Sequence, residues 1–258
     1  MIRCRVYVFL MVFAVFLSAC GVSHNVPEAE PIYNQGAAPY FSKISEDELS
    51  RVSQRLYQNI TQGDADRIVQ WNDQQQSLNL GFGFVWYPQT SVLTAKSSFP
   101  KYLQYLQKEQ VPLPIWLVNA MPRGAPWSNR QSFEQSIGDP EMRELRRILR
   151  MTKELQVLFL LERLHENTPK MVQQAKGRER KRLIYNLHAM QNVKDGLYPL
   201  LDYVSFDEKR LPIVLSRMEK QTSDERVLAA FVESVEDNTG FSGGAVEDRI
   251  RSYLNPVY

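Results

Sequence analysis

Residues 152–164, Thr-Lys-Glu-Leu-Gln-Val-Leu-Phe-Leu-Leu-Glu-Arg-Leu, decide the fold class of this 258-residue chain. Apolar residues occur on nearly every side of the helix that this stretch would form, which predicts a helix buried at the centre of the protein. Glu154, Glu162 and Arg163 argue against a membrane span. The overall composition, 43% hydrophobic and 23% charged, is that of a globular protein and excludes a disordered or multi-span membrane chain.

Helical patterns surround this centre. On the N-terminal side, Ser45 to Glu48 has the spacing of a capping box, and an apolar stripe, Leu49, Val52, Leu56 and Ile60, follows it. The central helix is predicted to end at His165. Four prolines between 112 and 126 predict a loop. Further helices are predicted near residues 101–110, 128–137, 140–149, 169–174, 178–192, 198–203, 211–220, 223–235 and 245–254.

A different pattern occupies residues 80–88, Leu-Gly-Phe-Gly-Phe-Val-Trp-Tyr-Pro. Aromatic and β-branched residues beside two glycines predict a short strand or a close backbone approach. Val92 and Leu93 are predicted to form its partner, while residues 64–80 read as irregular. The predicted fold is therefore mainly α (α+β), with a small β element near residues 78–95.

The N-terminus has the pattern of a signal peptide. Arg3 and Arg5 precede 12 consecutive apolar residues, too few to span a bilayer. Leu17-Ser18-Ala19-Cys20 then resembles the bacterial lipobox, in which the cysteine thiol receives the lipid. We expect a signal peptide at 1–19, a lipidated Cys20 and tether at 20–40, and a single helical domain at 41–258. The alternative is an ordinary secretory signal with an incidental cysteine.

The residue after the lipidated Cys20 predicts the membrane in which the protein is anchored. Gly21 stands where an aspartate would favour inner-membrane retention, so resemblance to known lipoprotein sorting implies the outer membrane, with the domain in the periplasm. The expected partners are outer-membrane lipid through acylated Cys20 and peptidoglycan or an envelope protein. Without Arg3 and Arg5 the chain has 29 basic and 29 acidic residues, so we expect no nucleic-acid partner. Cysteine and histidine are scarce, and no cofactor or metal motif is present.

A family resemblance covers roughly residues 55–235. Trp71-Asn72, Ser77 to Gly83 and Trp86-Tyr87-Pro88 resemble, in order and spacing, a family of uncharacterised bacterial proteins whose N-terminal part resembles the lysozyme-like fold. The resemblance implies a lysozyme-like helical domain with a helical extension. It also places the family's two acidic positions at Ile60 and Gln75 and its histidine at Phe84, so all three chemical groups are missing here.

Two hypotheses of function follow. The first is a non-catalytic protein that binds glycan or another protein, with no catalytic residue and a candidate ligand cleft formed by Trp71, Asn72, Gln75, Trp86 and Tyr87. Aromatic rings with a polar edge suit sugars, although such rings also fill cores. The second is a divergent peptidoglycan hydrolase, which would need a relocated carboxylic acid. The candidates for that acid are Asp64, Asp66 and Asp73.

Residues 176–182, Lys-Gly-Arg-Glu-Arg-Lys-Arg, form the densest basic run of the chain. Such a run can contact anionic lipid headgroups, lipopolysaccharide phosphates or wall carboxylates. The alternative is a solvated helix end.

The lipobox predicts the outcome of one substitution. Cys20→Ser removes the thiol that accepts the lipid, so the variant should remain an unprocessed precursor or an unlipidated form. Metabolic labelling with a radioactive fatty acid measures this directly. Label retained on the Cys20→Ser protein would rule out the predicted anchor.

Overall fold

Ten α-helices and one three-stranded antiparallel sheet make up the described part of the chain, which in the computed structural model is residues 44–221, 223–239 and 249–254. This confirms the mainly α (α+β) prediction. The predicted signal peptide, Cys20 and tether lie outside the described residues. The helices are α1 (Glu46–Thr61), α2 (Phe99–Lys108), α3 (Ile115–Ala120), α4 (Arg130–Gln135), α5 (Pro140–Met151), α6 (Lys153–Gln174), α7 (Gly177–Asn192), α8 (Leu197–Asp207), α9 (Leu211–Arg217) and α10 (Asp224–Thr239).

Helix α1 begins where the capping pattern predicts. The Ser45 hydroxyl accepts a hydrogen bond from the backbone N–H of Glu48 at 3.2 Å. Val52 and Leu56 are buried in the core, while Ile60 is half-buried and packs against it. The stripe of apolar residues therefore fixes which side of α1 faces the domain interior, and the last turn of α1 reaches the candidate site described below.

Helix α6 is the predicted central helix, but it is longer than predicted. Its core face includes Val157, Leu160 and Leu164, and burial continues through Thr168 and Met171. The predictions of an end at His165 and a separate helix at 169–174 are therefore wrong. Packing of the last turns against the core outweighs the hydrogen bond that a proline at position 169 removes. Among the described helices, none is long and apolar enough to cross a membrane.

The sheet consists of β1 (Val69–Asn72), β2 (Ser77–Leu80) and β3 (Phe84–Trp86), in the order β1-β2-β3. The prediction that Val92 and Leu93 supply the partner strand is wrong, since Val92 is 98% exposed and lies outside any strand. The partner of β3 is β2, and β1 pairs with the other edge of β2, so the prediction that residues 64–80 are irregular is also wrong. Polar and apolar residues alternate in both β1 and β2, which is the pattern of half-buried strands.

The predicted loop between residues 112 and 126 is also partly wrong, because it contains the short helix α3. Pro114 stands at the residue before the first turn, where its missing N–H costs nothing. Leu117 and Ala120, three residues apart, are buried against the core. This contact holds one helical turn within a proline-rich segment.

The two faces of the sheet have different chemistry because side chains alternate along each strand. On one face, Trp71 pairs with Leu78 and Leu78 with Trp86, and this row belongs to the core. On the opposite face, Gln70 pairs with Asn79 and Asn79 with Val85. The sheet therefore turns its aromatic residues inward and its amides toward the opposite side.

Two glycines allow the β2–β3 turn to contact the helices. Both have positive φ, +51° at Gly81 and +89° at Gly83. A Cβ at Gly81 would lie 2.1 Å from the Gln156 side-chain oxygen, and a Cβ at Gly83 would lie 2.1 Å from the Ser205 carbonyl oxygen. The turn is thus in direct contact with α6 and α8, closer than any other residue permits.

Two glycine-to-alanine substitutions distinguish the stability cost of losing this close approach from the cost of backbone strain. Gly63 also has a positive φ, +84°, but nothing lies within 4 Å of a Cβ added there. Gly63→Ala should cost only the strain of a left-handed alanine, about 1 kcal/mol. Gly83→Ala should cost about 1–3 kcal/mol more, because it adds the clash with the Ser205 carbonyl. Urea unfolding followed by circular dichroism measures both, and equal losses would contradict the close packing.

Candidate ligand-binding cleft

A cleft of about 810 Å³ opens over the amide face of the sheet. The end of α1, the sheet and its turns, the end of α8 and the segment 249–254 supply its walls. Residues that share these walls are Gln58, Asn59, Ile60, Gln62, Arg67, Gln70, Asn72, Gln75, Asn79, Gly81, Gly83, Val85, Ser205, Phe206, Arg249 and Ser252.

Side-chain amides dominate this lining. Seven lining residues are Asn or Gln, and none of the described residues that line the cleft is Asp or Glu. Each amide presents both a hydrogen-bond donor and an acceptor. One cation at the rim is already engaged, since the Arg67 guanidinium donates to the Gln62 side-chain oxygen. The described residues of the lining therefore offer many neutral hydrogen-bonding groups and no carboxylate.

The second cation of the cleft, Arg249, is neutralised by a buried acid. Asp202 on α8 is fully buried, and Arg249 donates to both of its carboxylate oxygens, through Nε at 2.7 Å and through Nη2. Burial alone would lower the pKa of Arg249, but the Asp202 charge and hydrogen bonds hold that pKa above its ordinary value. The Tyr253 hydroxyl also donates to Asp202, at 2.8 Å. These bonds attach the segment 249–254 to α8.

Asn59 is held in place by a tyrosine behind the cleft. Its side-chain N–H donates to the Tyr198 hydroxyl, and the Arg55 guanidinium lies 4.0 Å from the centre of the Tyr198 ring. Burial, followed by the nearby Asp202 charge, raises the pKa of Tyr198 to about 12. The phenol therefore stays protonated at neutral pH, and Asn59 keeps a fixed orientation at the cleft wall.

The structure brings together some of the predicted site residues. Asn72 and Gln75 line the cleft, and the backbone N–H of Gln75 donates to the Asn72 side-chain oxygen at 3.0 Å. Trp86 is fully buried in the core, and Trp71 packs on the core side against Phe133, with ring centres 6.2 Å apart. Tyr87 is half-buried and does not line the cleft. Strand alternation places the tryptophans on the face opposite Asn79.

The three candidate acids lie in a different, shallower depression of about 310 Å³ beside β1. Asp73 pairs with Arg130 at 2.5 Å, and Asp66 lies 3.6 Å from the buried Arg146. Asp64 accepts a hydrogen bond from the backbone N–H of Asp66 at 3.0 Å. This depression shares Arg67 and Gln70 with the cleft, but all three aspartates are outside the cleft lining.

Sequence analysis missed several lining residues. Gln70 and Asn79 alternate with apolar neighbours in their strands, and this period of two was the signal that could have placed them on one face. Gln58 and Asn59 follow the apolar stripe of α1 on its outer side. Arg249 gave no local signal, because its role depends on Asp202, 47 positions away.

Comparisons with protein-family models, curated proteins and solved structures gave no match to this chain. Within the described ranges, no group of three or more His, Cys, Asp or Glu residues is arranged to hold a metal ion.

The position of Ile60 in the cleft wall predicts a pH-dependent substitution. In Ile60→Glu, the half-buried carboxyl should have a pKa above its ordinary value of about 4.3. Folding then binds a proton, so the loss of stability should appear as pH rises above about 4.3 and reach about 1–2 kcal/mol near pH 7.

Ile60→Gln is the matched control, since it has the same size and does not titrate. Near pH 7, Ile60→Glu should have the lower free energy of unfolding of the two variants. Near pH 4 their free energies of unfolding should become equal. Urea unfolding at both pH values measures the difference. If the two variants remain equally stable at both values, the carboxyl is fully hydrated and Ile60 does not pack as described.

Proposed function

We propose that this protein is a lipid-anchored component of the bacterial cell envelope whose lysozyme-like domain binds peptidoglycan glycan strands without cleaving them. The observation that carries the proposal is the lining of the cleft, which has seven amide side chains and no carboxylate among its described residues. The proposed anchor is Cys20 of the lipobox, and Gly21 after it favours the outer membrane.

Amide side chains suit a glycan ligand. Sugar hydroxyls and N-acetyl groups are neutral and both donate and accept hydrogen bonds, as amides do. The Gln70–Asn79 pair lies on adjacent strands of the sheet and Asn59 is fixed by Tyr198, so several amides hold set positions before a ligand arrives. Preorganisation of this kind reduces the entropy lost on binding.

The lysozyme-like part of the proposal is supported by two positions. The family resemblance places its two acids at Ile60 and Gln75, which are distant in sequence yet line the same cleft. The glycine pair 81 and 83, also part of the resemblance, lines it too. A sugar cleft whose acids were replaced by an aliphatic side chain and an amide accounts for this arrangement.

Cleavage of a glycosidic bond needs a carboxylic acid within hydrogen-bond reach of the leaving oxygen. Ile60 has no proton to donate, and the Gln75 amide has no acid role. The alternative function, a divergent hydrolase, would need Asp64, Asp66 or Asp73 to reach the cleft from the neighbouring depression. Two of these are paired with Arg130 and Arg146, so reaching the cleft would require those ion pairs to break.

The test is co-sedimentation of residues 38–258, the compact unit that holds every described element, with purified peptidoglycan. The wild-type domain should pellet with peptidoglycan and release no muropeptides. Gln75→Ala with Asn79→Ala should reduce the bound fraction about tenfold or more, because each lost hydrogen bond contributes about 1 kcal/mol. Chromatography of the supernatant measures release.

The matched control removes two exposed amides from outside the cleft, Gln104→Ala with Gln131→Ala, and should bind as the wild type does. A domain that does not pellet, or a control that loses binding equally, would refute the glycan proposal. Release of muropeptides that Asp64→Asn, Asp66→Asn or Asp73→Asn abolishes, with the circular dichroism spectrum unchanged, would establish the hydrolase instead.

A further inference from the structure

The turn between α6 and α7 concentrates positive charge. Six basic residues and one acid, Glu179, lie between positions 170 and 182, where α6 ends at residue 174 and α7 begins at residue 177. We call these six residues the basic corner. Five of them are exposed and the sixth is half-buried. They are Lys170, Lys176, Arg178, Arg180, Lys181 and Arg182.

The basic corner is unfavourable for the stability of α7. The N-terminal end of a helix carries a partial positive charge, and acidic residues normally occupy it. Here the residue before α7 is Lys176, which makes no capping hydrogen bond, and the first two turns add four more cations. None of the six forms an ion pair with another described residue. Local stability therefore gives no reason for this concentration of charge.

An exposed tyrosine extends the basic corner along α7. Tyr185 lies three, four and seven positions after Arg182, Lys181 and Arg178, so these side chains share one face of the helix. Tyr185 is 37% exposed, and the Lys220 Nζ atom lies 4.7 Å from the centre of its ring. A tyrosine among lysines and arginines is typical of surfaces that lie at a membrane interface.

We propose that the basic corner and Tyr185 form a membrane-contact surface that binds anionic phospholipid headgroups. The cations attract the phosphates, and the tyrosine ring enters the headgroup layer. The inference rests on the envelope location proposed above, since a lipid on Cys20 and a coiled tether of about 20 residues would hold the domain at a root-mean-square distance of about 25 Å from the membrane. At that distance a weak surface contact is strengthened by its high effective concentration.

The test uses the lipid-free domain, residues 38–258, and sedimentation with sucrose-loaded vesicles. The wild-type domain should bind vesicles of phosphatidylcholine and phosphatidylglycerol, not vesicles of phosphatidylcholine alone. Binding should fall steeply as salt is raised, because exposed charges are screened over about 8 Å at physiological ionic strength. Replacing Arg178, Arg180, Lys181 and Arg182 with Gln should lower the partition coefficient at least about tenfold.

The matched control removes the same charge from four scattered exposed residues, Lys96, Lys101, Arg147 and Lys194, each changed to Gln. This variant should bind within about twofold of the wild type, and Tyr185→Ala should weaken binding without changing its salt dependence. Failure of the wild-type domain to bind, or equal loss in both quadruple variants, would overturn the proposal.

Sedimentation of the same variants with peptidoglycan distinguishes the basic corner from the cleft. Loss of peptidoglycan binding in the basic-corner variant, with vesicle binding unchanged, would identify wall carboxylates as the partner and refute the membrane contact.

Discussion

The side-chain amide of Gln156 joins the sheet to the central helix. Its oxygen accepts from the backbone N–H of Phe82 at 2.8 Å, and its nitrogen donates to the Leu149 carbonyl at 2.7 Å. The side chain is fully buried, so losing either partner would leave a polar group unpaired in the core. This contact needs a glycine at position 81, and it sets the distance and the angle at which the β2–β3 turn meets α6.

This attachment determines which face of the sheet is in the core and which lines the cleft. Once the turn is fixed on α6, the aromatic face of the sheet must pack inward, where Phe84 stacks on Tyr102 at 4.6 Å and Trp86 packs on Phe99 at 5.1 Å. The amide face then points into the cleft. The core and the cleft thus use opposite faces of the same three strands, and a shift of one residue in strand register would exchange the two faces.

The cleft also depends on a contact between distant parts of the chain. Asp202 is a buried carboxylate whose charge is matched by Arg249, and breaking such a pair by removing one partner is strongly destabilising. Because Arg249 and Ser252 also line the cleft, the shape of the cleft depends on this buried pair. In the basic corner, by contrast, five of the six cations are exposed, so the charge concentrated there is not used in core packing.

The family resemblance, not a local pattern, suggested that Asn72 and Gln75 belong to the cleft. Local patterns in the sequence determined the capped start of α1, the buried α6 and the close backbone approach at Gly81 and Gly83. These follow from interactions within a few residues or from simple periodicity. Tertiary structure alone decided that β2 is the partner of β3, that α6 continues through Pro169, and that Trp86 lies in the core rather than the cleft. It also decided that Arg249 lines the cleft and pairs with the buried Asp202. Each of these depends on packing or charge pairing between residues far apart in the chain, whose free energies do not appear in any local stretch of sequence.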